Sequence, residues 1–233
     1  MQRTTLRKAL SAKLGQTRGS AGFLLAAAVV GVLVGLTSSA LILTIEWADE
    51  RLFNLRSLSY GLLFVAIVTP IGIGISWFIE RRWGPGIKGS GITETMVGLN
   101  LHSGYIPTRT VQTKLVATMA TVGSGGSLGS EGPAVQVGSA IGSSLARYTN
   151  FGEDRIRSLV AAGAGAGIGA SFNAPIAGML FAMEVVLGNF AIRHINAVVI
   201  AAVVVAAVVA AVVVAAVVFG TVIVAVIALG VHR

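Results

Sequence analysis

Four stretches of this chain, residues 21–45, 58–79, 158–183 and 195–231, contain no Asp, Glu, Lys or Arg. Each matches or exceeds the roughly 20 residues that carry a helix across the hydrocarbon core of a bilayer. Inside that core no water pairs with backbone N–H and C=O groups, so runs of this length must satisfy them internally, as helices. Composition agrees: hydrophobic residues make up 55% of the chain, charged residues 11%, and mean hydropathy is +0.85. So much apolar surface does not fit inside a water-soluble core of ordinary proportions. The expected class is therefore an all-α integral membrane protein, a single bundle of spanning helices without a separate soluble domain. Cysteine is absent, which excludes disulfides and thiolate metal sites.

Charge sets the orientation. The net charge is +8, but the basic residues do not form a nucleic-acid-binding face. Arg3, Arg7, Lys8, Lys13 and Arg18 precede the first apolar run with no acid among them, which places the N-terminus in the cytoplasm. Residues 21–45 are too long for a signal-peptide core and have no cleavage site followed by a polar mature domain, so they form a true first span. The acid-rich segment 46–51 suits the outer face, and the cluster Glu80, Arg81, Arg82, Lys88 returns the chain to the cytoplasm. Trp47, Trp77 and Trp83 fall near run ends, where headgroup anchoring and ordinary packing both account for them.

The middle of the chain is not a row of full spans. Between residues 96 and 145 the uncharged pieces are short, glycine-rich and interrupted by Pro107, Arg109, Lys114, Glu131 and Pro133, which predicts half-helices. Broken backbone at membrane depth survives only where protein buries it or where it lines a watery cavity, so the breaks point to a pore or binding site. In the third run Gly163, Gly165, Gly167 and Gly169 alternate with small residues, and Pro175 divides it. That predicts two close-packed helices with a break at residues 172–175. The Ala/Val tract of the last run is long enough for one tilted span and part of another.

Two glycine-rich sites carry the chemistry, residues 88–92 (KGSGI) and 129–133 (GSEGP). Glycines permit close approach, and a helix is expected to begin just after each, with Pro133 in a first turn. A helix N-terminus offers unpaired N–H groups and the positive end of its dipole, which hold an anion through partial charges. Such a site releases chloride where a buried full charge would trap it. A lone acid at membrane depth, Glu131, is costly and marks an ion or proton path. Its carboxylate competes for the same N–H groups, and protonation removes that competition. The bland alternatives are a helix contact for Ser90 and an interfacial helix-capping acid for Glu131.

Three segments in order, GSGI at 89–92, GSGGSLGSEGP at 123–133 and FNAPIAGMLFAMEVV at 172–186, resemble the N-terminal half of the CLC chloride channels and chloride/proton exchangers. The resemblance covers about residues 23–190. It implies a bundle of tilted and broken transmembrane helices, one of two inverted halves, in a homodimer whose subunits each hold a pore. It implies chloride, and in exchangers protons, as the transported species, with no cofactor, no metal, no nucleic acid and no enzymatic activity. The Ser90 hydroxyl would contribute to a central chloride site together with Gly89 and Gly91. Backbone N–H groups around Ser130 and Gly132 would line an outer site, and Glu131 would be its gate. The expected division is a basic cytoplasmic segment 1–20, a CLC-like half-domain 21–190 and an Ala/Val-rich membrane segment 191–233. The expected location is the cell membrane, with several passes.

Departures from the family pattern refine these expectations. Thr93 stands where the first motif usually has proline, and Ser130 replaces the more usual basic residue before the gate. Val185 follows Glu184 where proton-exchanging members commonly have a second glutamate, which favours passive conduction. The family's second half, with its own GxFxP-type motif and a tyrosine at the central site, is not found in these residues. Half of an inverted repeat supplies half the ligands, so an incomplete transporter is expected, its last tract a divergent helix before a truncation or a disrupted reading frame. Two copies in opposite orientations would complete a pore, but the basic N-terminus opposes dual orientation. Competing expectations are a non-conducting membrane remnant or structural subunit, and an intramembrane serine hydrolase. The latter would use Ser127 of a G-x-S-x-G pattern with His194 as base.

Overall fold

Helices account for nearly all of residues 2–56, 61–84, 89–188 and 190–230, the parts described by the structure, a computed structural model. In order they are α1 (Gln2–Arg56), α2 (Gly61–Trp83), α3 (Ile92–Leu101), α4 (Arg109–Val122), α5 (Glu131–Tyr148), α6 (Glu153–Ser171), α7 (Pro175–Phe181) and α8 (Ile192–Gly230). A single π-type turn, Ala182–Val186, continues α7. Among the described residues there is no strand. Among the described residues two segments are long and apolar enough to cross a membrane, Ser20–Ala48 in α1 and His194–Val218 in α8.

The middle of the chain forms the expected short helices, of 10 residues in α3 and 14 in α4. Local chemistry sets their ends. Helix α3 starts at Gly91, whose φ of 97° suits glycine, and stops at Ser103 and Gly104, both with positive φ. The break in the third run falls where the proline predicts it: Asn173 takes φ 49°, and Pro175 opens α7 in its first turn.

Helices α5 and α6 form the centre, with buried Val135, Val137, Ala140, Leu159, Val160 and Ala161 between them and the flanking α1 and α8. The glycines make this crossing backbone to backbone. A Cβ at Gly138 would collide with the Gly163 carbonyl, one at Gly142 with the Leu159 carbonyl, and one at Gly167 with the Ala134 carbonyl. Helices pack in lipid through such small-residue contacts because no hydrophobic force distinguishes a neighbour from an acyl chain.

A second close crossing joins α1 to α8. A Cβ on Gly31 would lie 2.8 Å from the Ala201 carbonyl oxygen, and one on Gly35 2.8 Å from Val208 Cγ1. At Gly22, on the same helix, nothing lies within 4 Å. Gly31→Ala is therefore expected to lower stability in detergent by about 1–3 kcal/mol through overpacking. Gly22→Ala should be neutral or raise it by up to ~1 kcal/mol through helix propensity. Thermal unfolding followed by tryptophan fluorescence checks the opposite signs.

The acid-rich segment 46–51 lies within the 55-residue helix α1, because between Gly35 and Arg56 the sequence contains neither glycine nor proline. The last run is one 39-residue helix and not a span with part of another, since no breaker divides it before Gly220.

Candidate functional site

The two glycine-rich motifs, far apart in sequence, meet at the backbone. A Cβ on Gly91 would strike the carbonyl oxygen of Gly132, and one on Gly132 the carbonyl oxygen of Ser90. The start of α3 and the start of α5 therefore sit against each other, an approach that only glycine at both positions allows. Beside this contact lies a cavity of about 450 Å³ whose wall includes Gly89, Ser90, Glu131, Gly132 and Pro133.

The first turns determine which donors face an anion. On α5, Pro133 has no N–H, and the N–H of Ala134 is bonded to the Ser130 carbonyl at 3.0 Å. That leaves the N–H groups of Glu131 and Gly132 as its open donors. On α3, the Gly91 N–H donates to Glu94 Oε2 at 2.8 Å, closing a capping box. The Gly91 donor, expected at the central site, is thus engaged by a carboxylate in this structure.

The expected residues are placed as follows. Gly89 and Ser90 are exposed on the cavity wall, Gly91 is buried behind it, and Gly132 is buried between the two turns. Ser130 is the residue before α5 and is half-buried, with no side-chain capping bond and no place on the cavity wall. Glu131 is half-buried at the first position of α5, and its carboxylate folds back over Gly129, where a Cβ would collide with Oε2. Lys88 lies outside the described residues.

Several wall residues were not singled out from sequence: Ser76 and Glu80 on α2, and Lys114, Thr118 and Thr121 on α4. Lys114 is 6% exposed, and its Nζ donates to the Gly89 carbonyl at 2.9 Å, tying its charge to the turn that carries Ser90. Glu94 and Glu80 both lie within electrostatic reach of its ammonium. Helical spacing is the signal that would have found them. Gly72, Ser76 and Glu80 recur every four residues, and Lys114, Thr118 and Thr121 share a face of α4. Gly72 packs closely on Ser124, and the Thr69 hydroxyl bonds the Ser124 carbonyl at 2.7 Å, which brings the two stripes together.

The pair invoked for a hydrolase is not assembled. Ser127 is exposed in the α4–α5 loop, and no strand precedes it. His194 is buried in the first turn of α8, where its Nδ1 is 2.6 Å from the Ser158 hydroxyl.

The family model described as "Voltage gated chloride channel" matches residues 71–231. The H(+)/Cl(-) exchange transporter ClcA of Vibrio parahaemolyticus serotype O3:K6 (strain RIMD 2210633) is 34% identical over 196 residues, spanning 80% of this chain and 42% of that protein. The protein of the same name from Yersinia pestis bv. Antiqua (strain Angola) is 34% identical over 173 residues, 72% of this chain and 36% of its own length. Among solved structures, a slow cyanobacterial Cl-/H+ antiporter superposes with a TM-score of 0.69 at 26% identity, covering 80% of this chain and 46% of that one. A eukaryotic CLC transporter shares the fold, with a TM-score of 0.67 at 21% identity over 80% of this chain and 37% of that one. The chain thus spans less than half the length of these relatives.

Proposed function

Since this chain belongs to the voltage-gated chloride channel family, we propose that it forms the anion-binding and gating half of a proton-coupled chloride transport unit. The observation that carries this reading is the contact between the α3 and α5 starts, which puts Ser90, the open donors of α5 and Glu131 around one cavity. Chloride is held by the Ser90 hydroxyl and the N–H groups of Glu131 and Gly132, all partial charges. Glu131 is the gate: ionised, its carboxylate claims the donors at its own helix start; protonated, it releases them. The relatives are named as exchange transporters, which favours proton coupling over passive conduction.

In this reading the N-terminus is cytoplasmic, following the basic residues before the first span, and the unit is a homodimer in the cell membrane. Chloride titration calorimetry on the detergent-purified chain tests it. A saturable heat with millimolar affinity, on the order of 4 kcal/mol of binding free energy, and weakened by Ser90→Ala, is the expected result. A chain that takes up no chloride overturns the proposal.

A further inference from the structure

The wall that holds Ser90 and Glu131 carries a second acid, Glu80, and a cation, Lys114, whose ammonium Glu80 reaches electrostatically. We propose that Glu80 is a second proton-binding residue of the transport unit, protonated as an anion enters beside Ser90, with Lys114 coupling the two events. This inference rests on the anion-site reading given above.

The coupling follows from charge and position. Lys114 is fixed to the Gly89 carbonyl, adjacent to Ser90, so its positive field covers the place where an anion would sit. Glu80, when ionised, offsets that field. An anion beside Ser90 takes over the same role, and it adds a further negative charge to those of Glu94 and Glu80 around the one ammonium. Binding a solvent proton on the Glu80 carboxylate relieves the excess, so chloride and the proton enter together with no net charge added. By linkage the effect is reciprocal: a proton on Glu80 strengthens anion binding by the factor by which an anion strengthens proton binding.

Other acids are less suited to this task. Glu94 also reaches Lys114, but its carboxylate accepts the Gly91 N–H and caps α3. Glu184 is exposed on the π-type turn, away from this wall. Val185, beside it, has no proton to carry. Glu80 has Ser76 one turn before it on the wall, which Thr118 of α4 also lines, giving hydroxyls along which water can relay a proton.

The charged groups around Glu80 are few. Helix α4 presents Lys114 and, in a separate cleft with Ile79 and Trp83, Arg109. Glu94 comes from α3 and Glu131 from α5 across the cavity. On its own helix Arg81 and Arg82 are exposed and stack on Trp77 and Trp83. The acids and Arg51 of α1 belong to the end that leads into the start of α2, opposite Glu80.

Proton uptake per chloride bound is read by titrating chloride into purified protein in buffers of different ionisation heat, across about pH 4 to 7. Glu131→Gln serves as the background, because it removes the gate's own proton. Uptake should persist in Glu131→Gln, disappear when Glu80→Gln is added, and remain when Glu80→Asp is added instead. Chloride should bind the Glu80→Gln double variant severalfold more tightly at neutral pH, since Lys114 then lacks one counter-charge. Chloride binding by Glu131→Gln without proton uptake, or uptake that survives Glu80→Gln, overturns the assignment and leaves the anion site standing. Absence of chloride binding in both the native chain and Glu131→Gln removes the anion site itself, and this inference with it.

Discussion

Glu131→Gln should bind chloride about tenfold more tightly than the native chain at neutral pH, a change of roughly 1.4 kcal/mol. The sign follows from competition at one helix start. The open donors of α5 are the N–H groups of Glu131 and Gly132, because Pro133 has none and Ala134 is already bonded. An ionised carboxylate at the first position is favoured by the positive end of the helix and competes with an anion for those donors. Glutamine keeps the shape and removes the charge, so the donors are free at every pH. A hydrogen bond to a charged group contributes about 1.5–3 kcal/mol, enough for the stated factor after partial exposure is allowed for.

The pH profile has a defined direction. Chloride binding by the native chain should strengthen on acidification, and most of that rise should be gone in Glu131→Gln. Calorimetric chloride titrations at neutral and acidic pH read both. If Glu131→Gln binds chloride no more tightly than the native chain at neutral pH, the carboxylate does not compete for the site, and Glu131 is a capping acid alone. The same comparison in liposome flux tests gating directly.

How much of this was legible in the sequence depends on whether a local rule or a long-range contact decides each feature. The break at residues 172–174 and the short helices of the middle were legible because Pro175, Gly104 and Gly91 act on their own backbone. The run of α1 through residues 46–56 was not, because charge suggested a boundary where no helix breaker stands. Ser90 and Glu131 were found as separate glycine-flanked residues, but their meeting was not. It depends on Gly91 and Gly132 touching each other's motifs, which neither spacing nor periodicity encodes.

Lys114 and Glu80 show the same limit from the other side. In the sequence Lys114 is an interruption of an apolar stretch and Glu80 the start of a basic boundary cluster. Only the packing of α2 on α4, through Gly72 and Ser124, turns their polar stripes toward one cavity. Side chains that look like membrane-boundary charges one helix at a time become a paired set once the helices are placed.

The other large effect concerns that meeting of backbones. Gly132→Ala should weaken chloride binding by about 5- to 150-fold, the equivalent of roughly 1–3 kcal/mol of overpacking at the site. The added methyl would strike the Ser90 carbonyl, which belongs to the backbone and has no rotamer to escape into. Relief therefore requires the 89–91 turn to move away from α5. That motion takes the Ser90 hydroxyl away from the Glu131 and Gly132 donors, so the two halves of the anion site no longer converge. It also disturbs Lys114, whose Nζ is anchored on the Gly89 carbonyl. Gly152→Ala is the matched control, because nothing lies within 4 Å of a Cβ there. Chloride titration of both variants, alongside their thermal unfolding, separates a local effect from a global one. Weak chloride binding with near-native unfolding in Gly132→Ala, and native behaviour in Gly152→Ala, is the expected pattern. Unchanged affinity in Gly132→Ala would mean that Ser90 and the α5 start do not hold the same ion.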